Sequence, residues 1–229
     1  MKPSRFTGEF FVPGESGVRI EADHLARYAF AVRWAAGRTI LDIACGSGYG
    51  TKLLATSGAL RVVGVDISPD ALSIAREGYD GPAVFELGDI NRYGATDSVD
   101  MITCFETIEH VPTATEALPN LRRVLRQGGV LLISSPNRRA TSPRARSLND
   151  RPKNKFHRRE YVSAELRSEL RAAGYVVQPE LLGQRLQPRM PRLPAAAYRR
   201  LFSPHENATP DVRPVPWWAM PRYFILVAH

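Results

Sequence analysis

Apolar residues in this chain fall into short runs that switch between two periods. Between residues 22 and 36 they recur at helical spacing, through Leu25, Tyr28, Ala29 and Val32, and predict an amphipathic helix. Runs rich in β-branched and apolar residues follow at 39–43, 61–66, 83–87, 99–104 and 129–134, interleaved with helical patterns at 48–57, 69–78 and 113–126. Pro69 behind Ser68 suits the first turn of a helix behind a side-chain cap. Gly128 and Gly129 stop the 113–126 helix before the next strand. The strands are apolar throughout instead of alternating, so both faces of their sheet must be covered. That predicts an α/β fold on a mostly parallel sheet.

The character changes after Pro136. Residues 137–155 are polar, basic and longer than an ordinary connection, which predicts a lid or binding loop. Helical periodicity returns at 163–173, closed by Gly174, with a strand expected near 175–182. Residues 188–216 are proline-rich, and 223–228 read as a last strand. With 229 residues at 44% hydrophobic content, the chain is long enough to bury one full core. It is read as a single domain, with 1–37 as an N-terminal helical cap and 138–160 and 184–220 as lid or substrate-binding insertions.

Charge narrows the partners. The net charge is +8, and residues 138–159 hold nine Lys or Arg against one acid, Asp150. Such a segment is either a solvated Arg-rich loop or a surface for an anionic partner. Nucleic acid is disfavoured, because Phe156 is the one aromatic platform there. Two cysteines make no disulfide framework and no metal spacing, so a reducing, cytoplasmic compartment is expected. No apolar run approaches the roughly 20 residues needed to span a bilayer.

The densest chemistry lies at 39–51. A β-branched run carries Asp42, passes into Gly46 and Gly48, and enters a helix. Glycines there let backbone N–H groups approach a ligand at the helix N-terminus. Asp42 would repel a pyrophosphate and suits a cationic group, so the loop looks built for a nucleoside carrying an amino acid. Asp66 ends the next strand 20 residues after Gly46, where an acid accepts from both ribose hydroxyls. Asp89 and Ile90 follow the third strand, positioned to take an adenine amine and line the base.

These residues carry a resemblance. The segments ILDIACGSGYG (40–50), VVGVDISPDALSIARE (62–77), GDI (88–90), VDMITCFETIEHV (99–111), LRRVLRQGGVLLISSPN (121–137) and FHRREYVSAELRSELRAAGY (156–175) resemble the class I S-adenosylmethionine-dependent methyltransferases that act on small metabolites and saccharides. The resemblance implies a Rossmann-like, mostly parallel seven-stranded sheet with an antiparallel last strand and helices on both faces. It implies S-adenosylmethionine as cofactor. Asp42 would sit near the methionine amino group, Gly46 and Gly48 beneath the methionine, Asp66 at the ribose, Ile67 and Ile90 at adenine, and Asp89 at its amine. Phe105 would border the methyl donor, and His24, Arg27 and Tyr28 would close over the methionine carboxylate. Ala44 departs from the family's first loop glycine; alanine is the mildest replacement and is expected to be tolerated if its φ is negative.

Transfer to a hydroxyl needs a base. Glu106, Glu109 and His110 would share one face of a helical turn, with His110 preferred, Glu109 beside it and His157 second. Glu106, Glu109 and His110 also make a candidate weak divalent site for Mg2+ on a sugar diol. The acceptor is expected to be a small molecule or oligosaccharide, with an anionic one suited to the basic segment; a homodimer is left open. Residues 5–14 and 19–24 resemble members of saccharide and glycolipid pathways, which favours a sugar hydroxyl. Trp217, Trp218, Tyr198 and Phe202 would be pyranose platforms or core. The alternatives are N- or carboxyl-methylation of another metabolite, a non-catalytic cofactor-binding protein, and an RNA-directed enzyme.

Overall fold

The computed structural model describes residues 17–77, 79–94, 96–112, 114–188 and 210–229. Helix α1 (Val18–Val32) leads into β1 (Thr39–Ile43), α2 (Tyr49–Ala55), β2 (Arg61–Asp66), α3 (Pro69–Arg76), β3 (Ala83–Leu87) and β4 (Val99–Cys104). Then come α4 (Ala114–Val124), β5 (Leu125–Pro136), α5 (Arg138–Thr141), α6 (Ser163–Ala172), β6 (Leu182–Pro188), β7 (Arg213–Pro214) and β8 (Ala219–Ala228). The strands form one sheet in the order β3-β2-β1-β4-β5-β8-β6-β7. Pairs from β3 across to β5 are parallel. Strand β8 runs antiparallel to both β5 and β6.

The strand period of two explains both layers. Leu41 and Ile43 of β1 join Val63, Ile102 and Leu131 beneath Leu118, Leu121, Leu166 and Leu170 of α4 and α6. Ile40, pointing the other way, joins Val62, Met101 and Leu132 beneath Tyr28, Ala31 and Leu54 of α1 and α2. The expected α/β sheet with helices on both faces is therefore present. It has eight strands where seven were expected, the addition being the two-residue edge strand β7 on Leu182 and Gly183.

Several boundaries move for physical reasons. Strand β5 starts at Leu125, before the Gly128-Gly129 pair, because Leu125 pairs with Val99 and the irregularity between Val99 and Met101 absorbs the glycines. The strand expected near 175–182 begins at Leu182 instead. Pro179 lacks the N–H a ladder requires, and Val177 makes only an isolated bridge to Ala228. The expected insertion at 184–220 contains β6, β7 and the start of β8. Gly78, Thr113, Tyr198, Phe202 and residues 5–14 lie outside the described residues. Ser68 caps α3 as expected, accepting from the Ala71 N–H at 3.2 Å.

Candidate functional site

Strand order reverses beside β1, whose neighbours are β2 and β4. The crevice outside the carboxyl ends of these strands is where open α/β sheets bind ligands. The segment after β1 carries Ala44, Gly46 and Gly48, all at positive φ (57°, 55° and 75°). The condition of a negative φ at Ala44 is thus not met. The loop needs a left-handed residue there, and alanine adopts it at a cost of about 1–2 kcal/mol. Ala44→Gly should relieve this and raise stability by about 0.5–1 kcal/mol, since the freer unfolded chain takes back part of the gain. Urea denaturation reads the change; a loss of stability would contradict the strain.

Asp66, at the tip of β2, secures the loop. Its Oδ2 accepts from the Gly46 N–H at 2.8 Å and its Oδ1 from the Ser68 N–H at 2.9 Å. A carboxylate has about four acceptor positions, so each oxygen keeps one for a further donor. Next to it Ile67 is 70% exposed, a large apolar side chain at the crevice. After β3, Asp89 Oδ1 accepts from the N–H and the amide of Asn91, at 2.9 and 2.8 Å. The Asn91 N–H bond is the main reason its carboxyl lies below the usual range. Ile90 packs on the core, and its carbonyl accepts from Asn120.

Asp42 is fully buried one layer beneath the loop. Its Oδ1 accepts from Tyr28 (2.9 Å) and Thr103 (2.6 Å), and its Oδ2 from Thr51 (2.6 Å). Burial raises its carboxyl to about 6 against the opposing pull of these three hydroxyls. The carboxylate therefore joins α1, α2 and β4 into one floor. Helix α1 lies across that floor. Tyr28 meets Tyr49 and Phe105 edge-on, each at 5.2 Å, and His24 Nδ1 lies 2.8 Å from the Tyr49 hydroxyl. A Cβ on Gly50 would stand 2.0 Å from the Tyr28 ring, so only glycine admits α1 this closely. Arg27 is buried, donates to Gln184 Oε1 at 2.8 Å and stacks on Tyr223, while its Nε has no partner among the described residues.

Beyond Phe105 the chain does not form the expected helical turn with three aligned side chains. Glu106 takes a φ of 51° and folds toward β5, where its N–H donates to Ser134 Oγ and its Oε1 accepts from the same hydroxyl at 2.7 Å. The residues brought together are Glu109, His110 and His157, whose polar atoms lie within 4.8 Å of one another. The candidate divalent set of Glu106, Glu109 and His110 is not assembled among the described residues. The cluster spans two segments because the Arg158 and Arg159 N–H groups donate to the Glu109 carbonyl, at 2.8 and 3.2 Å. The rings of His110 and His157 meet edge-on at 4.8 Å. Burial, then the neighbouring Glu106, raises the Glu109 carboxyl well above its ordinary range, and neither oxygen has a partner among the described residues. Burial also lowers His110.

Comparison with known proteins fixes the kind of domain. Residues 41–133 match the family model of a methyltransferase domain. A probable S-adenosylmethionine-dependent methyltransferase of Mycolicibacterium smegmatis is 37% identical over 179 residues, 76% of this chain and 66% of that protein. Over these stretches the chain is similar to S-adenosylmethionine-dependent methyltransferases. A ubiquinone biosynthesis O-methyltransferase of Glaesserella parasuis is 34% identical over 113 residues, 45% of this chain and 48% of its own. The chain spans about half to two thirds of the length of such relatives. An S-adenosylmethionine-dependent methyltransferase from Mesorhizobium loti, 17% identical, shares the fold at a TM-score of 0.61, over 90% of this chain and 99% of that one.

Some residues of the candidate site carry only weak sequence signals. Thr103 is a buried hydroxyl in an otherwise apolar strand, and Thr51 opens the helix behind the glycine loop. Glu160 is an acid in a basic stretch, three residues from His157. Gln184 and Tyr223 have no local signal at all. Trp217 and Trp218 are exposed, which excludes the core reading of those two. No helix among the described residues is long and apolar enough to cross a membrane.

Proposed function

We propose that this chain is an S-adenosylmethionine-dependent methyltransferase acting on a hydroxyl, with a saccharide or related small acceptor as substrate. The observation that carries the cofactor assignment is the pairing of Asp66, with acceptor capacity left on both oxygens, and the exposed Ile67 beside a left-handed glycine loop. A ribose diol fits the first and a purine face the second. In this reading Asp89 takes the adenine amine and Ile90 lines the base, with Gly46 and Gly48 under the methionine moiety. Asp42 acts from below, tying Tyr28, Thr51 and Thr103 together and offering a negative charge toward a cationic group. His24 and Arg27 close the methionine end, where the buried guanidinium suits a carboxylate. Phe105, held edge-on by Tyr28, borders the transferred methyl.

S-Adenosylmethionine supplies an already activated methyl on a positively charged sulfur. The protein is left to align the acceptor, exclude water and accept one proton. The cluster of Glu109, His110 and His157 is placed for that last task, one turn beyond Phe105. Between the two histidines, His157 is favoured. It has a carboxylate, Glu160, at 2.7 Å to stabilise its cationic form, while His110 has only the Phe156 carbonyl. Arg139, Arg144, Arg146 and Arg151 of the neighbouring segment are exposed and favour an acceptor that carries negative charge. Residues 138–160 form the wall over the acceptor, anchored by the ion pair of Arg138 with Glu165 at 2.6 Å.

Incubation with labelled methyl donor and a panel of neutral and anionic saccharides tests the proposal. Label is expected on a hydroxyl oxygen. Label confined to amines or carboxylates would replace it with the alternative small-metabolite reading. Within the same site, Asp66→Ala should weaken cofactor binding by about 1.5–3 kcal/mol, the worth of hydrogen bonds to a charged acceptor. Calorimetry with the demethylated cofactor product reads it, and unchanged affinity would remove Asp66 from the site.

A further inference from the structure

The segment 154–160 contains more order than a substrate wall requires. Glu160 is almost completely buried, and its Oε2 accepts from Thr141 Oγ1 while its Oε1 lies 2.7 Å from His157 Nδ1. An ionised carboxylate only accepts, so Nδ1 carries the hydrogen. The other ring nitrogen, Nε2, lies 2.9 Å from the side-chain amide of Asn154. The orientation of that amide is fixed independently, because Asn154 Oδ1 accepts from the Phe156 N–H at 3.1 Å. Its NH2 group therefore faces His157 and donates to the Nε2 lone pair. One tautomer satisfies every contact.

We propose that Glu160 is the positioning residue that sets His157 as the base, and that Asn154 is a removable stopper on its reactive nitrogen. This rests on the hydroxyl-methylation reading. Asn154 is exposed and Glu160 is not, so the stopper can leave while the positioning carboxylate stays. An arriving acceptor hydroxyl replaces the amide as donor to Nε2. As its oxygen bonds to the methyl carbon, the carbon–sulfur pair passes to sulfur and the hydroxyl proton moves to Nε2. Glu160 then faces an imidazolium across a charge-assisted hydrogen bond. Other ionisable groups around the pair are His110, edge-on to His157, and Glu109, whose surroundings include Glu106, Arg27 and Glu160. Burial pushes the Glu160 carboxyl up, and hydrogen bonds from His157, Thr141 and Ser142 outweigh it, leaving the group below its ordinary value. That is the state the positioning role needs.

Two variants of the full chain, read by histidine NMR titration and by kinetics on a methylated hydroxyl acceptor, test the arrangement. Glu160→Gln removes the carboxylate charge that faces the His157 Nδ1–H and with it the partner that stabilises the imidazolium. It should also reduce kcat about 10–100-fold, the scale reported for outer partners of functional histidines. The acidic limb of its kcat/KM profile should move to lower pH, with the KM for the methyl donor unchanged. A fall in kcat with the limb and the His157 titration unmoved would reduce Glu160 to a structural part and overturn the proposal. Asn154→Ala, at an exposed position, keeps the test open if Glu160→Gln fails to fold. It should lower the acceptor KM, and an unchanged acceptor KM would remove the stopper. If the His157 titration responds to Glu160→Gln but no hydroxyl is ever methylated, the hydroxyl reading has failed and the positioning contact has not.

Discussion

His157→Ala is expected to slow methyl transfer about 10²–10⁴-fold at saturating cofactor, the usual worth of a positioned base. Cofactor affinity should stay within about twofold, because the partners of His157 among the described residues are Asn154, Glu160 and His110, away from the loop of Gly46 and Gly48. His110→Ala removes an edge-on ring and a bond to the Phe156 carbonyl, and should cost less than a tenth of that. Single-turnover measurements on both variants separate the two histidines. Equal losses would make them one relay, and a larger loss at His110 would return the proton to that residue.

The second large effect concerns stability. Asp42 titrates near 6 in the folded protein and near the ordinary carboxylate value when unfolded. A carboxyl raised by folding stabilises the native state while it is protonated. Its contribution is complete below about pH 4 and is lost as pH rises through about 6. The shift of roughly two units corresponds to about 3 kcal/mol over that window. Asp42→Asn carries no charge at any pH, so its stability should lack that decline. Chemical denaturation at half-unit steps from pH 4 to pH 7 compares the slopes. Parallel curves for the two proteins would mean that the three hydroxyls alone hold Asp42 without strain.

How far the sequence revealed this site depends on how local each constraint is. The positions of Asp42, Gly46, Gly48, Asp66 and Asp89 were legible because each lies in a strand or just beyond its carboxyl end. Continuous apolar strands also demanded two helical layers, and the alternation of Ile40 and Leu41 between them followed. The φ of Ala44 was not legible, because its sign is set by where the loop must go next, not by the residue that occupies it. The junction of Glu109 with Arg158 and Arg159 was invisible, since it joins segments about fifty residues apart through backbone atoms that any residue type supplies. Glu106 turned toward Ser134 for the same kind of reason: its partner lies on a neighbouring strand, 28 residues on. Pro179, which lacks the N–H a ladder requires, outweighs the apolar run around it and delays the strand to Leu182.

Arg27 has a consequence for how the chain tolerates change. The guanidinium of the first helix is sealed by Gln184 and Tyr223, from the strands nearest the other end of the sequence. Shortening the polypeptide behind β5 would leave that cation facing water or stripped of its neighbours, whatever happened to the central strands. Deletions within the first helix or within the strands behind β5 therefore disturb the same buried cation, and these segments act as halves of a single clasp.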